Sequence, residues 1–380
     1  MKKIAIIGAT YLQEPLIRKA KEMGLETHVF AWAANDVGEK IADFFYPISI
    51  IEKEEILGKC IELEIDAICS IASDLAVITV NYVAEKMNLT GNSIESALLA
   101  TNKHEMRLAF EKNNDPSPHS VLVRTVEDIN SEMKFPVIVK PLDRSGSRGV
   151  SKINSIEELP SAIKCAEECG FIKGALIEQY VEGREYSVEC ISYQGTHHFL
   201  AITQKYTTGA PNFIETGHLE PAQIDDEIRD KVKNVIFHAL NSLKIKNGAS
   251  HSEIKIDDDG NISIIEIGSR MGGDLIGSEL VYHTTGIDYV KAVIQIALGE
   301  MPDLSPATTE TGIAAIHYVC SDEDIYIYKQ LLIDNPDIIL VANVPEKIEG
   351  AVTDSASRFG YYVLKSDNIE DISPYMPRLC

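Results

Sequence analysis

Apolar residues at 4–7 run together and stop at Gly8, the pattern of a short buried strand. From Glu14 to Met23 they recur at helical spacing, and Gly24 ends the helix. Thr27–Ala31 and Ala67–Ser73 read as two more buried strands, with Leu75–Lys86 a helix. Strand and helix alternate to about residue 95, which predicts a small parallel sheet of Rossmann-like topology. Gly8 is followed by Ala-Thr-Tyr-Leu-Gln, without the second and third glycines of a dinucleotide fingerprint. It is read as a turn glycine. Residues 101–180 again alternate helices and strands. Residues 186–300 predict strands, a helix over Asp226–Lys244, a hairpin, and a last helix near Asp288–Leu298. After the loop Met301–Pro306 the chain turns strand-rich.

A chain of 380 residues exceeds one ordinary core and predicts two or three domains. The patterning divides it into 1–100, 101–300 (halves 101–185 and 186–300) and 301–380. With 45% hydrophobic and 24% charged residues it is an ordinary folded chain, which excludes disordered and fibrous classes. No apolar run approaches the ~18 residues of a membrane span. The basic start Met1-Lys2-Lys3 precedes an apolar run too short for a leader, and Glu14 interrupts it. A net charge of −23 disfavours nucleic acid and anionic membranes as partners. Seven cysteines without metal-site spacing point to a reducing, cytoplasmic setting.

Three stretches carry candidate chemistry. Pro136–Lys140 is a buried strand ending in a lysine, and Asp143–Val150 after it holds two arginines, two serines and two glycines. Such a loop suits polyphosphate through backbone N–H groups and guanidinia, or is a surface turn with solvated arginines. It is not a Walker loop, since no Gly-Lys-Ser/Thr closes it. Glu178–Glu189 follows an apolar strand and reads either as a polar strand connection or as part of a site. In His251–Gly268, Asp259-Gly260 predicts a two-residue hairpin turn. That register sets Glu253 opposite Glu266 on one face, with Ile265 and Ile267 facing the core. Facing carboxylates need a cation between them. Mg²⁺ is the simplest candidate, and a solvated face on which Lys255 neutralises one carboxylate is the alternative.

Taken in order, Lys103 in Asn-Lys-His, Lys140, the Arg/Ser/Gly loop, Glu178-Gln179-Tyr180-Val181, Gly183-Arg184-Glu185 and Glu253/Glu266/Arg270 resemble the ATP-grasp superfamily. The resemblance spans roughly residues 1–300. It implies a mixed α/β and α+β protein: a Rossmann-like pre-ATP-grasp domain, an ATP-grasp fold of two α+β subdomains, and a small strand-rich C-terminal subdomain. It also implies that Lys103 and Lys140 contact ATP phosphates and that Arg144, Ser145, Gly146, Ser147 and Gly149 close over them. Glu178, Tyr180 and Val181 would hold adenine, and Glu185 the ribose. Glu253 and Glu266 would bind Mg²⁺, with Mn²⁺ a substitute. Many members carry Asn two residues after the second metal Glu; here that residue is Gly268.

Phe213–His218 and Arg270–Gly273 resemble the superfamily's ligases that join amino acids, of the bacilysin ligase type. The resemblance implies that Glu215 and His218 line the acceptor side and that Arg270 faces an acyl-phosphate. Gly273 and Asp274 would shape the small-substrate pocket, although Asp274 also suits the N-cap of a helix starting near Leu275. The expected activity is ATP-dependent joining of a small-molecule carboxylate to an amine through an acyl-phosphate. A homodimer is an allowed assembly. The rivals are a bicarbonate-using enzyme of the biotin-carboxylase or carbamoyl-phosphate type, whose terminal subdomain residues 301–380 resemble, and a nucleotide-binding module without turnover.

Overall fold

The computed structural model describes residues 1–125, 134–144, 146–210 and 213–378. The first domain is a parallel sheet in the order Phe44–Tyr46, Glu26–Phe30, Lys3–Ile7, Ala67–Cys69. Ile4 to Ile7 are fully buried in it. The helix Glu14–Glu22 opens with a proline in its first turn and lays Leu16, Ile17 and Ala20 on the sheet. The predicted strand Ala67–Ser73 stops at Cys69. Beyond it the Ser70 hydroxyl donates to the carbonyl of Ile7 at 2.6 Å, and Ala72 turns left-handed at φ 57°. Residues 70–73 thus leave the sheet, and Ser73 caps the helix Asp74–Met87 through the N–H of Ala76.

A second, antiparallel sheet runs Ser120–Val123, Ala175–Gln179, Val137–Pro141, Ser151–Ile153. The helix Leu159–Cys169 covers it with Leu159, Ala162, Ile163 and Ala166. The third sheet has eight strands: Ile262–Gly268, Gly248–Ile256, Arg184–Tyr193, Thr196–Thr207, Glu215–Glu220, Ile313–Val319, Gly360–Ser366 and Ile339–Asn343. The last three come from the C-terminal segment, so that segment extends the large sheet instead of forming a sheet of its own. It also holds a helix, Asp322–Asp334, that the strand-rich reading did not anticipate. The helix Tyr289–Ala297 packs between the first domain and the large sheet, sharing one core with Ile4, Ile17, Ile191 and Ala249. No helix among the described residues is long and apolar enough to cross a membrane.

Glu253 does pair with Glu266, but by a different route from the predicted hairpin. Ile256 pairs with Ile262, so the turn is five residues long instead of two. Asp257 organises it by accepting the N–H groups of Asp259 and Asn261. A bulge then inserts Ile265 between the pairs Ile254–Ile264 and Glu253–Glu266 and restores the register. The bulge also flips the phase. Ile262, Ile264 and Ile267 fill the core, whereas Ile265 turns to the cavity beside Glu266, correcting the expected inward Ile265.

Candidate active site

A cavity of about 300 Å³ lies where the second sheet, the large sheet and the loop at residues 72–74 meet. Of the expected residues, Lys103, Lys140, Arg144, Gly146, Ser147, Glu178, Tyr180, Val181 and Glu185 line it. So do Glu215, His218, Glu253, Glu266, Arg270, Gly273 and Asp274. Gly149 does not: at φ 70° it packs where a Cβ would meet Cys169 at 2.9 Å. Ser145 lies outside the described residues.

At one end Lys140 and Arg107 grip the two oxygens of Glu178 at 2.7 and 2.8 Å, all three side chains nearly buried. Burial pushes the Glu178 carboxyl up, but the two cations outweigh it and hold it below the usual range. Burial, with Arg107 and Lys103 nearby, lowers Lys140 despite Glu178. Each oxygen of the Glu178 carboxylate therefore has a cation beside it. Arg107, absent from the sequence reading, is fixed by a 2.5 Å bond to the carbonyl of the bulged Ile265. Tyr180 lies between Lys152 and Lys255, whose ammonium groups are 3.6 and 4.9 Å from its ring centre. Lys255 donates to the carbonyl of Val181 at 3.1 Å and sits 3.4 Å from Glu185. It does not neutralise the facing carboxylates.

That task falls to two other lysines. Lys103 holds Glu266 at 2.6 Å, and Lys205 holds Glu253 at 3.0 Å while lying 3.6 Å from Glu215. Burial alone would lower Lys205, yet Glu253, Glu215 and Glu185 raise it instead. Glu253 is held well below the usual range: burial opposes its charge, and Lys205 and His251 prevail. His251 is pushed up to about 9, because Glu189 and Glu253 overcome the cost of burying its charge. No cluster of three or more metal-binding side chains exists among the described residues. Two facing carboxylates still fit Mg²⁺, which commonly takes one or two carboxylates and completes its shell with phosphate oxygens and water.

Arg270 donates to Asp74 from Nε at 2.8 Å and from Nη2 at 3.0 Å. It pairs with neither Glu253 nor Glu266. Asp274 does not cap a helix. At φ 53° its carboxylate takes both terminal nitrogens of Arg358, at 2.9 and 2.6 Å, and lies 3.5 Å from His218 Nε2. Leu275 occupies the cap position before a π-helical turn, Ile276–Leu280. Arg358 lies 3.6 Å over the ring of Tyr318, whose hydroxyl donates to the Asp274 carbonyl at 2.8 Å. Ser355 donates to Glu215. Burial lowers the His218 imidazole, and its Nδ1 is buried without a partner. Across the cavity, Ser147 donates to the Phe213 carbonyl at 3.0 Å, and Arg148 approaches Asp354 at 3.6 Å.

The profile of the ATP-grasp domain family matches residues 133–279. The chain carries an ATP-grasp domain. An alanine–anticapsin ligase of Bacillus subtilis is 26% identical over 339 residues, covering 79% of this chain and 70% of its own. The crystal structure of an L-amino acid ligase from Bacillus licheniformis superposes with a TM-score of 0.82 at 22% identity, over 99% of this chain and 96% of that one. A phosphoribosylglycinamide synthetase from Anaerococcus prevotii gives 0.76 at 21%, over 98% and 96%. These two likenesses establish the ATP-grasp fold. The matched ATP-grasp segment contains the paired glutamates, yet Asp74, Lys103, Arg107, Ser355 and Arg358 lie outside it.

Proposed function

We propose that the protein is an ATP-dependent carboxylate–amine ligase, with an amino acid as at least one substrate. The carrying observation is a single cavity lined both by Lys140 and the paired glutamates Glu253 and Glu266 and by Glu215, His218, Arg270 and Asp274. The relatives named as ligases support the same class.

In the first step a substrate carboxylate oxygen attacks the γ-phosphorus of ATP. The bond to the bridging oxygen breaks, leaving ADP and an acyl-phosphate. In the second, an amine nitrogen attacks the acyl carbon, phosphate departs, and the nitrogen loses a proton. Lys103, Lys140 and Arg144 would balance phosphate charge in the partly dry cavity, where fixed charges act strongly. Glu253 and Glu266 would hold Mg²⁺ or Mn²⁺, which when bound neutralises phosphate oxygens. Arg270 would face the acyl-phosphate. His218, kept neutral by burial, would take the amine proton. Glu215 would favour a cationic amino group nearby, and Asp274, held by Arg358, would shape the same region of the pocket.

A phosphate-release screen of carboxylates against amines, with mass-spectrometric product detection, tests this reading. Release that requires both a carboxylate and an amine, with an amide product, is expected. Release with bicarbonate in place of an organic carboxylate would assign a carboxylase-type enzyme. Nucleotide binding without turnover under every pairing would leave a regulatory module.

A further inference from the structure

We propose that Asp74, from the first domain, is the positioning residue that aims the Arg270 guanidinium into the small-substrate end, and that Gly268 is glycine to make room for this pair. The proposal rests on the ligase reading for the purpose of the aim, not for the geometry.

Asp74 engages Arg270 at two points, Nε and Nη2, on one edge of the planar fork. The remaining nitrogen, Nη1, makes only a 3.4 Å contact with the Met271 carbonyl. A guanidinium held along one edge presents the other in a fixed direction. Both residues line the cavity. Their side chains are only 15% and 19% exposed, so water does not compete freely for the pair.

The loop that carries Asp74 is itself anchored. Gln13 Nε2 donates to the Ile71 carbonyl at 2.8 Å, and the left-handed Ala72 donates its N–H to the Met271 carbonyl at 3.2 Å. That second bond ties the loop directly to the segment bearing Arg270. Gly268 has no positive φ, so its backbone does not demand glycine. A Cβ there would lie 2.8 Å from Asp74 Oδ1 and 3.3 Å from Arg270 Nε. Any side chain at 268 would push into the ion pair.

The test uses the full chain with Asp74→Asn, Asp74→Glu, Gly268→Ala and the double variant Asp74→Asn/Gly268→Ala. Phosphate release is measured at saturating Mg-ATP with the amino acids that the wild type accepts, MgADP affinity by calorimetry, and the Arg270 Nε–H exchange by ¹⁵N-arginine NMR, assigned with Arg270→Lys. Asp74→Asn and Gly268→Ala are each expected to lower kcat about 10–100-fold, the scale of a misaligned catalytic group. MgADP affinity should stay within about 2-fold. The double variant should be no worse than the worse single, because both changes disturb one contact. Asp74→Glu should recover part of the loss. The Nε–H should be protected in the wild type and exposed in Asp74→Asn. Wild-type kcat in Asp74→Asn would overturn the proposal. So would additive losses with a parallel fall in MgADP affinity, which would mark a clamp between domains and nothing else. If the wild type releases no phosphate with any amino acid, the ligase reading fails on its own, and rapid Nε–H exchange in the wild type would then refute the alignment separately.

Discussion

Asp274 and Arg358 form a two-point clasp across a chain separation of 84 residues, each carboxylate oxygen taking one terminal nitrogen of the guanidinium. The clasp brings the C-terminal segment to a cavity whose paired glutamates lie on the hairpin at the opposite end of the same sheet.

Asp274→Asn leaves Arg358 nearly buried without its anion. A loss of about 2–4 kcal/mol in urea denaturation is expected, the scale of a broken buried pair. The pH dependence has a definite sign. Burial opposes the Asp274 charge, but His218 and Arg358 outweigh it, so its folded pKa lies below the unfolded value. The clasp's contribution is present above about pH 4 and disappears as pH falls through the depressed folded value. The wild type should therefore lose more stability on acidification below about pH 4 than Asp274→Asn does. Equal acid sensitivity would contradict the assignment.

Lys205→Met removes the ammonium between Glu253 and Glu215. The two carboxylates then lose the cation they share, with only His251 left beside Glu253, and stability should fall by about 2–4 kcal/mol. Mg²⁺ binding at Glu253 and Glu266 would offset part of this. The melting temperature of the variant should rise more on adding Mg²⁺ than that of the wild type. An identical shift in both proteins would count against a cation site at these glutamates.

The turn Gly146–Gly149 contains three left-handed residues, Gly146, Ser147 and Gly149, and touches the rest of the cavity mainly through Ser147 and Arg148. Its glycines let it open and close at low cost. Hydrogen exchange in this turn should slow when Mg-ATP is added. Unchanged protection would remove it from the nucleotide site.

Glu220 is fully buried and pushed up to about 7 by that burial, with Glu189 adding to the effect against the hydroxyls of Thr203 and Thr284. A raised acid binds its proton more tightly in the folded state. Stability should therefore fall as pH climbs from the unfolded value of about 4.3 to about 7, by on the order of 3 kcal/mol. Glu220→Gln keeps the shape without the titration. Denaturation midpoints at pH 5 and pH 8 should differ less in this variant than in the wild type.

The paired glutamates show how sequence logic can reach a correct contact by an incorrect route. Asp259-Gly260 suggested a two-residue turn, but Asp257 draws the chain into a longer one. The one-residue offset this creates is cancelled by the bulge at Ile265. Two irregularities, each invisible to a pattern of alternating positions, restore the pairing together. The identity of the neutralising cations was not legible either. Reading along one strand offers Lys255, whereas Lys205 and Lys103 arrive from another strand and a helix start.

The strands Lys3–Ile7 and Glu26–Phe30 and the helices Glu14–Glu22, Asp74–Met87 and Asp226–Ser242 follow the hydrophobic spacing closely, because their buried faces are built from local sequence, whereas the edge strand Phe44–Tyr46 was not anticipated. Asp74 and Arg358 had no such signal. Asp74 lies just before the expected helix Leu75–Lys86, and Arg358 lies in a stretch without a recognisable motif. Their partners are 196 and 84 positions away, so only the folded chain reveals them.

The continuity of the eight-stranded sheet has a bearing on where this protein can be cut. The segment that aligns with the ATP-grasp family ends at residue 279, yet Glu215–Glu220 needs Ile313–Val319 as its neighbour. A fragment trimmed to the aligned segment would leave that strand, with His218 on it, as a bare edge open to pairing with other chains. The segment that matches the family profile is thus shorter than the unit of folding. Recombining this region with foreign C-terminal segments would require the incoming chain to supply a matching strand.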